Sequence, residues 1–299
     1  MKSRIRTLRI GGMLIGSALT TTIAGAQEAR IPRQISPPGI RYERFNISSS
    51  GGTVHLVVFD TSRFSLRVID NGPRADRPQF TNLADAMKRS DCVAGINGGF
   101  FDPQHFTPSG LMIANGRTVS RFDPQGWQKG VLVVGNDGVS LLEPNAFIKH
   151  DQPTEGLQSG PWLLHSGRID ATQKEDSQSA RRVFVATGKS GLCAIGFSTP
   201  VTFYQLAEIL VSEPVSKSVE FSEALALDGA SSAGFWCSVG GQLTSDPELT
   251  TVRNFVAVAP VRSDGNAPQT NRVAIILITA LIAVASIWAS RRRRASQLP

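Results

Sequence analysis

Cysteine is scarce in this sequence. Cys92, Cys193 and Cys237 are the only three in 299 residues, with no Cys-x-x-Cys pair and no metal-ligand spacing. An oxidising compartment allows one disulfide and leaves one thiol over; buried free thiols fit equally well. Histidine is nearly as rare. His55, His105, His150 and His165 are scattered, which argues against a zinc site. His55 and His165 fall in strands and read as structural, and only His105 lies near a candidate site. The chain also lacks Gly-x-Ser-x-Gly, Gly-x-Gly-x-x-Gly, a P-loop and His-Glu-x-x-His, so the common motif-borne engines are missing. No cofactor site is read, and divalent-ion assistance is left open. There is no internal repeat and no low-complexity tract.

The ends carry targeting signals. Lys2, Arg4, Arg6 and Arg9 precede an apolar run from Ile10 to Ile23 that closes on Ala24-Gly25-Ala26. This predicts a secretory signal peptide over residues 1–26; an uncleaved anchor is the alternative, for which the run is short. Val273 to Ser290 holds no charge and spans roughly 27 Å at helical rise. Residues 273–290 are therefore expected to form a transmembrane helix, and Arg291 to Arg294 open a basic cytoplasmic tail, 291–299. The expectation is an exported, single-pass protein with its body outside the cytoplasm. A core helix is the weaker alternative, because nothing follows it to pack on. A clipped sorting signal ranks lower too, since no recognition motif precedes Val273.

These ends account for the formal charge of +7 and the pI near 9.8. All 24 acidic residues lie between them, whereas four basic residues sit in the leader and four in the tail. The body keeps 23 of the 31 basic residues, a net charge of about −1. Nucleic acid is not an expected partner.

Residues 27–40 are polar and Pro-rich, a flexible lead-in; residues 41–260 form one domain; residues 261–272 are a linker. Arg41–Ser48 and Thr53–Asp60 read as a hairpin across Ser-Ser-Gly-Gly, and Phe64–Asp70 as a further strand. Asn115-Gly116, Asn136-Asp137-Gly138 and Gly188-Lys189-Ser190-Gly191 mark three more hairpins. Thr81–Arg89 reads as a short helix capped by Thr81 or Asn82. Thr202–Val211 is the clearest helix, with a Thr202/Gln205 capping box and a stripe of Phe203, Leu206, Ala207 and Leu210. The predicted class is α+β: one large, mainly antiparallel or mixed sheet, few short helices and the C-terminal membrane helix.

Three strand-to-glycine junctions stand out. Ala224–Leu227 is an apolar run that ends on Asp228, and only small residues follow to Gly234. Such a turn lets the backbone approach a ligand and offers N–H groups and two hydroxyls to an anion. A strand closed by an Asx-turn fits the spacing as well. Val93–Asn97 leads into Gly98-Gly99 and then Asp102, and Gly160-Pro161-Trp162 leads to Gly167. These junctions would bring Asn97, Asp102 and Asp228 to one rim. Arg182 and Arg253 open strands, as solvated rim charges or as a bidentate grip on phosphate.

In this order, Ile96-Asn97-Gly98-Gly99-Phe100-Phe101, Pro108-Ser109-Gly110-Leu111, Ser159-Gly160-Pro161-Trp162 with Gly167, Arg182, Thr202–Leu210, Leu227-Asp228-Gly229 with Ser232, and Arg253 resemble the phosphodiester glycosidase family. The resemblance covers roughly Val54 to Pro260. It implies hydrolysis of a sugar-1-phosphodiester at the anomeric C–O bond, and a sugar-phosphate or glycan substrate. It carries Asn97, Arg182, Asp228, Ser232 and Arg253 into the site, and Gly98, Gly99 and Gly229 are read as substrate-binding beside them; on physical grounds Asp228 is the first candidate for the reacting carboxylate and Asp102 the second. The family usually has glycines where this chain has Ala230 and Ser231, and small residues in the strand after Arg182. A non-catalytic glycan-binding module tethered at the envelope is the other reading.

Overall fold

The computed structural model describes residues 37–47, 52–149, 153–172 and 178–261. The expected leader, membrane helix and basic tail, with most of the linker and of the lead-in, lie outside the described residues. Within them no helix is long and apolar enough to cross a membrane.

The chain opens with β1 (Ile40–Ile47), β2 (Gly52–Asp60) and β3 (Phe64–Asp70), then α1 (Leu83–Arg89) and β4 (Ala94–Asn97). Short strands follow: β5 (Phe101–Asp102), β6 (Thr107–Pro108), β7 (Met112–Ala114), β8 (Arg117–Ser120), β9 (Gly130–Gly135) and β10 (Gly138–Leu142). A helical turn, α2 (Pro144–Phe147), leads to β11 (Glu155–Ser159), β12 (Trp162–His165), β13 (Arg168–Ile169), β14 (Ala180–Gly188) and β15 (Leu192–Val201). Helices α3 (Phe203–Val211) and α4 (Val215–Ser218) precede β16 (Phe221–Ala226), β17 (Phe235–Val239), β18 (Gln242–Asp246) and β19 (Asn254–Pro260).

Instead of one large sheet there are three, plus the β5–β6 ribbon. Their orders are β1-β2-β15-β14-β16-β12-β13, β10-β9-β11-β7-β8 and β18-β17-β4-β19-β3. Among the described residues every pairing is antiparallel. The expected hairpins and both longer helices form. Asn115 and Gly116 take the positive φ values of 53° and 73° that a type I′ turn needs. Asn82 caps α1, and the Thr202/Gln205 box caps α3.

The seven-stranded sheet is covered on both faces. Val183, Val185 and Leu225 point into the core shared by the three sheets, beside Ile96, Leu132 and Phe235. Their neighbours Phe184, Ala186, Ala224 and Ala226 pack under the Leu206/Ala207/Leu210 stripe of α3. Side chains alternate across a strand, so two covered faces leave no polar positions. That is why Ala224–Leu227 carries no polar residue before Asp228. The three cysteines are buried and free. His55 is buried in β2 with both ring nitrogens bonded, one to the Tyr42 hydroxyl at 2.8 Å and one to Thr53 Oγ1 at 3.1 Å.

Candidate functional site

Asp228 stands where the chain crosses between sheets. The end of β16 is held on one side by Pro161, whose carbonyl accepts from Ala226 N–H at 3.0 Å, and by the Ser159 hydroxyl, which donates to the Ala226 carbonyl at 2.8 Å. On the other side Leu227 N–H donates to Val183 O at 2.9 Å. One residue later Asp228 N–H reaches Gly98 O at 3.1 Å, at the end of β4 in another sheet. The Asn97 amide donates to the Asp228 carbonyl at 2.7 Å and accepts from Gly234 N–H at 3.0 Å.

The small-residue turn folds back on itself. The carbonyl of Arg181 accepts from Ala230 N–H at 2.9 Å, and Ser232 N–H returns to Gly229 O at 3.1 Å. Ala230 sits at φ +55°, the left-handed region. A side chain on Gly229 would meet Arg181 O at 2.9 Å. The N–H groups of Gly229, Ala230, Ser232, Ala233 and Gly234 are bonded inside the protein. Those five N–H groups are therefore not offered to an anion, and the Ser232 hydroxyl bonds the Asp228 carboxylate.

Beside it lies a cavity of about 410 Å³. Asp228, Ser231, Ser232, Thr250 and Thr251 give it one carboxylate and four hydroxyls, and Phe101 and Phe106 give it two rings. Burial pushes the Asp228 carboxyl up to about 6; the Ser232 hydroxyl and the Gly229 N–H oppose the shift by bonding the carboxylate. A carboxylate so tuned among hydroxyls and aromatic faces suits proton transfer on a small polyol.

The other sequence-predicted residues divide. Asp102 does not line this cavity, although Phe101 and Pro103 on either side do. Its carboxylate closes its own loop, bonding His105 Nδ1 at 2.6 Å and Gln104 N–H at 2.7 Å, and these contacts hold its pKa down. Gly98 and Gly99 serve close packing: a Cβ on Gly98 would stand 1.8 Å from Asn254 Oδ1. Neither arginine is a solvated rim charge. Arg182 is buried, donates to the carbonyls of Val201 and Gln178 at 3.2 and 2.6 Å, and lies 3.7 Å from the Phe203 ring. Arg253 is 3% exposed and bonds the Asp70 carboxylate, with its guanidinium 5.8 Å from the Phe106 ring. Neither lines the cavity.

Sequence reasoning passed over Thr250, Thr251 and Asn254. Asn254 Oδ1 accepts from Gly99 N–H at 2.8 Å and so fixes the Asn97-Gly98-Gly99 end of β4. Its place next to Arg253 at the head of the last strand was the available signal. The threonines follow no pattern and reach the cavity only through the loop that Ser231 O anchors by accepting from Leu249 N–H at 2.8 Å.

The family model for phosphodiester glycosidases matches residues 90–259. A comparison with curated proteins returns no match. Among solved structures, the chain is similar to the catalytic domain of zebrafish N-acetylglucosamine-1-phosphodiester alpha-N-acetylglucosaminidase, auto-inhibited by pro-peptide. Identity is 18%, with 79% of this chain and 85% of that chain covered and a TM-score of 0.53. It is also similar to a hypothetical protein from Synechocystis, at 18% identity over 75% of this chain and 62% of that one, with a TM-score of 0.51. At such identity the likeness is one of fold.

Proposed function

The chain belongs to the phosphodiester glycosidase family, and from that premise we propose that it hydrolyses the C1–O bond of a sugar-1-phosphodiester with Asp228 as the reacting carboxylate. The observation that carries the reading is the Asp228 carboxyl, pushed up to about 6 on a hydroxyl-lined cavity. At pH 7 such a group is mostly ionised, yet close enough to its pKa to take a proton from water. It can instead stabilise the oxocarbenium-like state electrostatically. A phosphate monoester leaves as a stable anion, so the departing oxygen needs little acid help. Ser231, Ser232, Thr250 and Thr251 orient the sugar hydroxyls. Arg182, whose guanidinium flanks Gly229, acts on the diester charge at a distance rather than by direct contact, whereas the charge of Arg253 is matched by Asp70. The protein works outside the cytoplasm, exported by residues 1–26 and held at the membrane by residues 273–290.

The test is the turnover of a sugar-1-phosphodiester by Asp228→Asn. Loss of kcat by about 10²–10⁴-fold supports the reading. Unchanged kcat makes Asp228 a turn residue, since Asn closes the same Asx-turn. Saturable binding by the wild type without turnover would leave the glycan-binding module.

A further inference from the structure

Strand β3 is the outermost strand of its sheet, and a cavity of about 800 Å³ runs along its free edge. Arg67, Val68, Ile69 and Asp70, four consecutive residues, all line it. Side chains alternate across a strand, so a cavity touched by four in a row follows the edge and not one face. The C-terminal end of α1 and the β7–β8 hairpin line it too. It shares no lining residue with the Asp228 cavity.

Three guanidinium groups meet there, one from each of these elements: Arg67, Arg89 and Arg117. Each is a fork of N–H donors with no acceptor. Among the described residues most of those donors are unused. Arg89 bonds through Nη1, to Gln79 O at 2.8 Å and Asp85 Oδ2 at 3.2 Å, and Arg117 through Nη2, to Asp70 Oδ2 at 3.3 Å. Arg67 is half-buried beside the Cys92 thiol and forms no ion pair with a described residue. The acceptors, by contrast, are spent. Asp70 bonds Arg253 with one oxygen and Arg117 with the other. Glu155 Oε2 accepts from Val68 N–H at 3.1 Å and from Asn115 N–H at 3.0 Å. Asp91 is the exposed carboxylate that remains. Such a cavity suits a ligand rich in acceptor oxygens, above all carboxylate or phosphate groups, which a guanidinium takes in pairs.

Two kinds of anion fit badly. Glu155 already holds the Val68 N–H on the free side of β3, so an acidic peptide cannot add there as a strand. Phe80 is buried, with the Arg89 guanidinium 4.6 Å from its ring, so it offers no open face for a base to stack on. An acidic sugar needs neither. Its charged groups meet the arginines, and its hydroxyls match the Gln79 and Asn115 amides, the Ser90 hydroxyl and Asp91.

We propose that this cleft is a binding site for an acidic saccharide, one that carries carboxylate or phosphate groups on its rings. The assignment does not depend on the glycosidase reading.

Calorimetry on the full-length chain at low ionic strength tests it, with trigalacturonate, glucose 6-phosphate, neutral galactotriose and triglutamate as probes. At least one of the two acidic sugars should bind saturably, and galactotriose should not. Arg67→Gln/Arg117→Gln should weaken that binding roughly tenfold or more. Arg117→Gln alone, a change at an exposed side chain, should weaken it roughly threefold. A control pair, Lys189→Gln/Lys217→Gln, removes the same charge from exposed positions elsewhere and should bind as the wild type does. So should Asp228→Asn, which alters the other cavity. No binding of either acidic sugar, equal binding of galactotriose, tighter binding of triglutamate, or unchanged affinity in both arginine variants overturns the proposal. An equal loss in the lysine pair overturns it as well, since the effect would be one of net charge. A loss in Asp228→Asn would place the ligand in the other cavity and also overturns it. Trigalacturonate bound without glucose 6-phosphate identifies a carboxylated sugar, and the reverse a phosphorylated one.

Discussion

The Asn97 amide holds Asp228 by its main chain: Nδ2 donates to the Asp228 carbonyl at 2.7 Å, while the carboxylate, bonded by the Ser232 hydroxyl and the Gly229 N–H, lies beside the cavity. Asn97 is 1% exposed, and its oxygen accepts from Gly234 N–H. Its contacts are those of a positioning residue. Asn97→Asp keeps an acceptor for Gly234 but faces the Asp228 carbonyl with an oxygen. Stability should fall by about 2–4 kcal/mol, because a buried acceptor loses its donor and gains a repelling partner. Urea denaturation measures this. A loss below about 0.5 kcal/mol would mean the amide braces nothing.

The Asp228 carboxyl gives stability its own pH dependence. Its pKa is about 6 in the folded protein against an ordinary 3.8. The folded state therefore holds the proton more tightly, and stability falls as pH rises from about 4 to about 6. Asn cannot ionise and avoids that loss. Asp228→Asn should melt with the wild type near pH 4 and above it at pH 7 and beyond. A wild type that melts higher than the variant at pH 8 reverses the sign and contradicts the burial argument.

Arg253 and Asp70 form a buried pair, with side chains 4% and 17% exposed. Arg253→Ala leaves Asp70 with Arg117, whose guanidinium lies 3.3 Å away on the exposed side. The loss should be about 3 kcal/mol, and Arg253→Lys should recover only part of it. Chemical denaturation of both variants checks this, and native stability in the alanine variant would restore Arg253 to the role of a free rim charge.

Ala230 pays for its left-handed backbone. A non-glycine residue there costs about 1–2 kcal/mol, and glycine loses about 0.5–1 kcal/mol of chain entropy on folding. Ala230→Gly should therefore be neutral or stabilising by up to about 1 kcal/mol, with kcat retained. A clear drop in melting temperature would show that the Ala230 methyl makes a contact worth more than the strain.

The strands were readable because their ends carry chemistry: Asn115-Gly116, Asn136-Asp137-Gly138 and the caps at Asn82 and Thr202 declare themselves. The partition into three sheets was not, because it is decided by distant pairings such as β2 with β15 and β3 with β19. Strand β11 was missed because Glu155, Gln158 and Ser159 look like loop residues. They are buried, and the Glu155 carboxylate accepts from the N–H groups of Val68 and Asn115. Asp228 was legible as a charge closing an apolar strand. Arg182 and Arg253 were legible as strand-opening residues, but their burial was not, since no local pattern points to the Val201 carbonyl or to Asp70.

The crossing of Asp228 between sheets also decides when this site can exist. Asn97 is tied to Asp228 across 131 positions and to Gly234 across 137, and Gly99 is tied to Asn254 across 155. A ribosome or a translocon delivers these partners one after another, and the first must wait for the last. The Gly98-Gly99 end of β4 is thus not fixed until β19 has emerged and joined β4. Chains cut short before Asn254 should therefore lack the turnover proposed for Asp228, however well their early hairpins form.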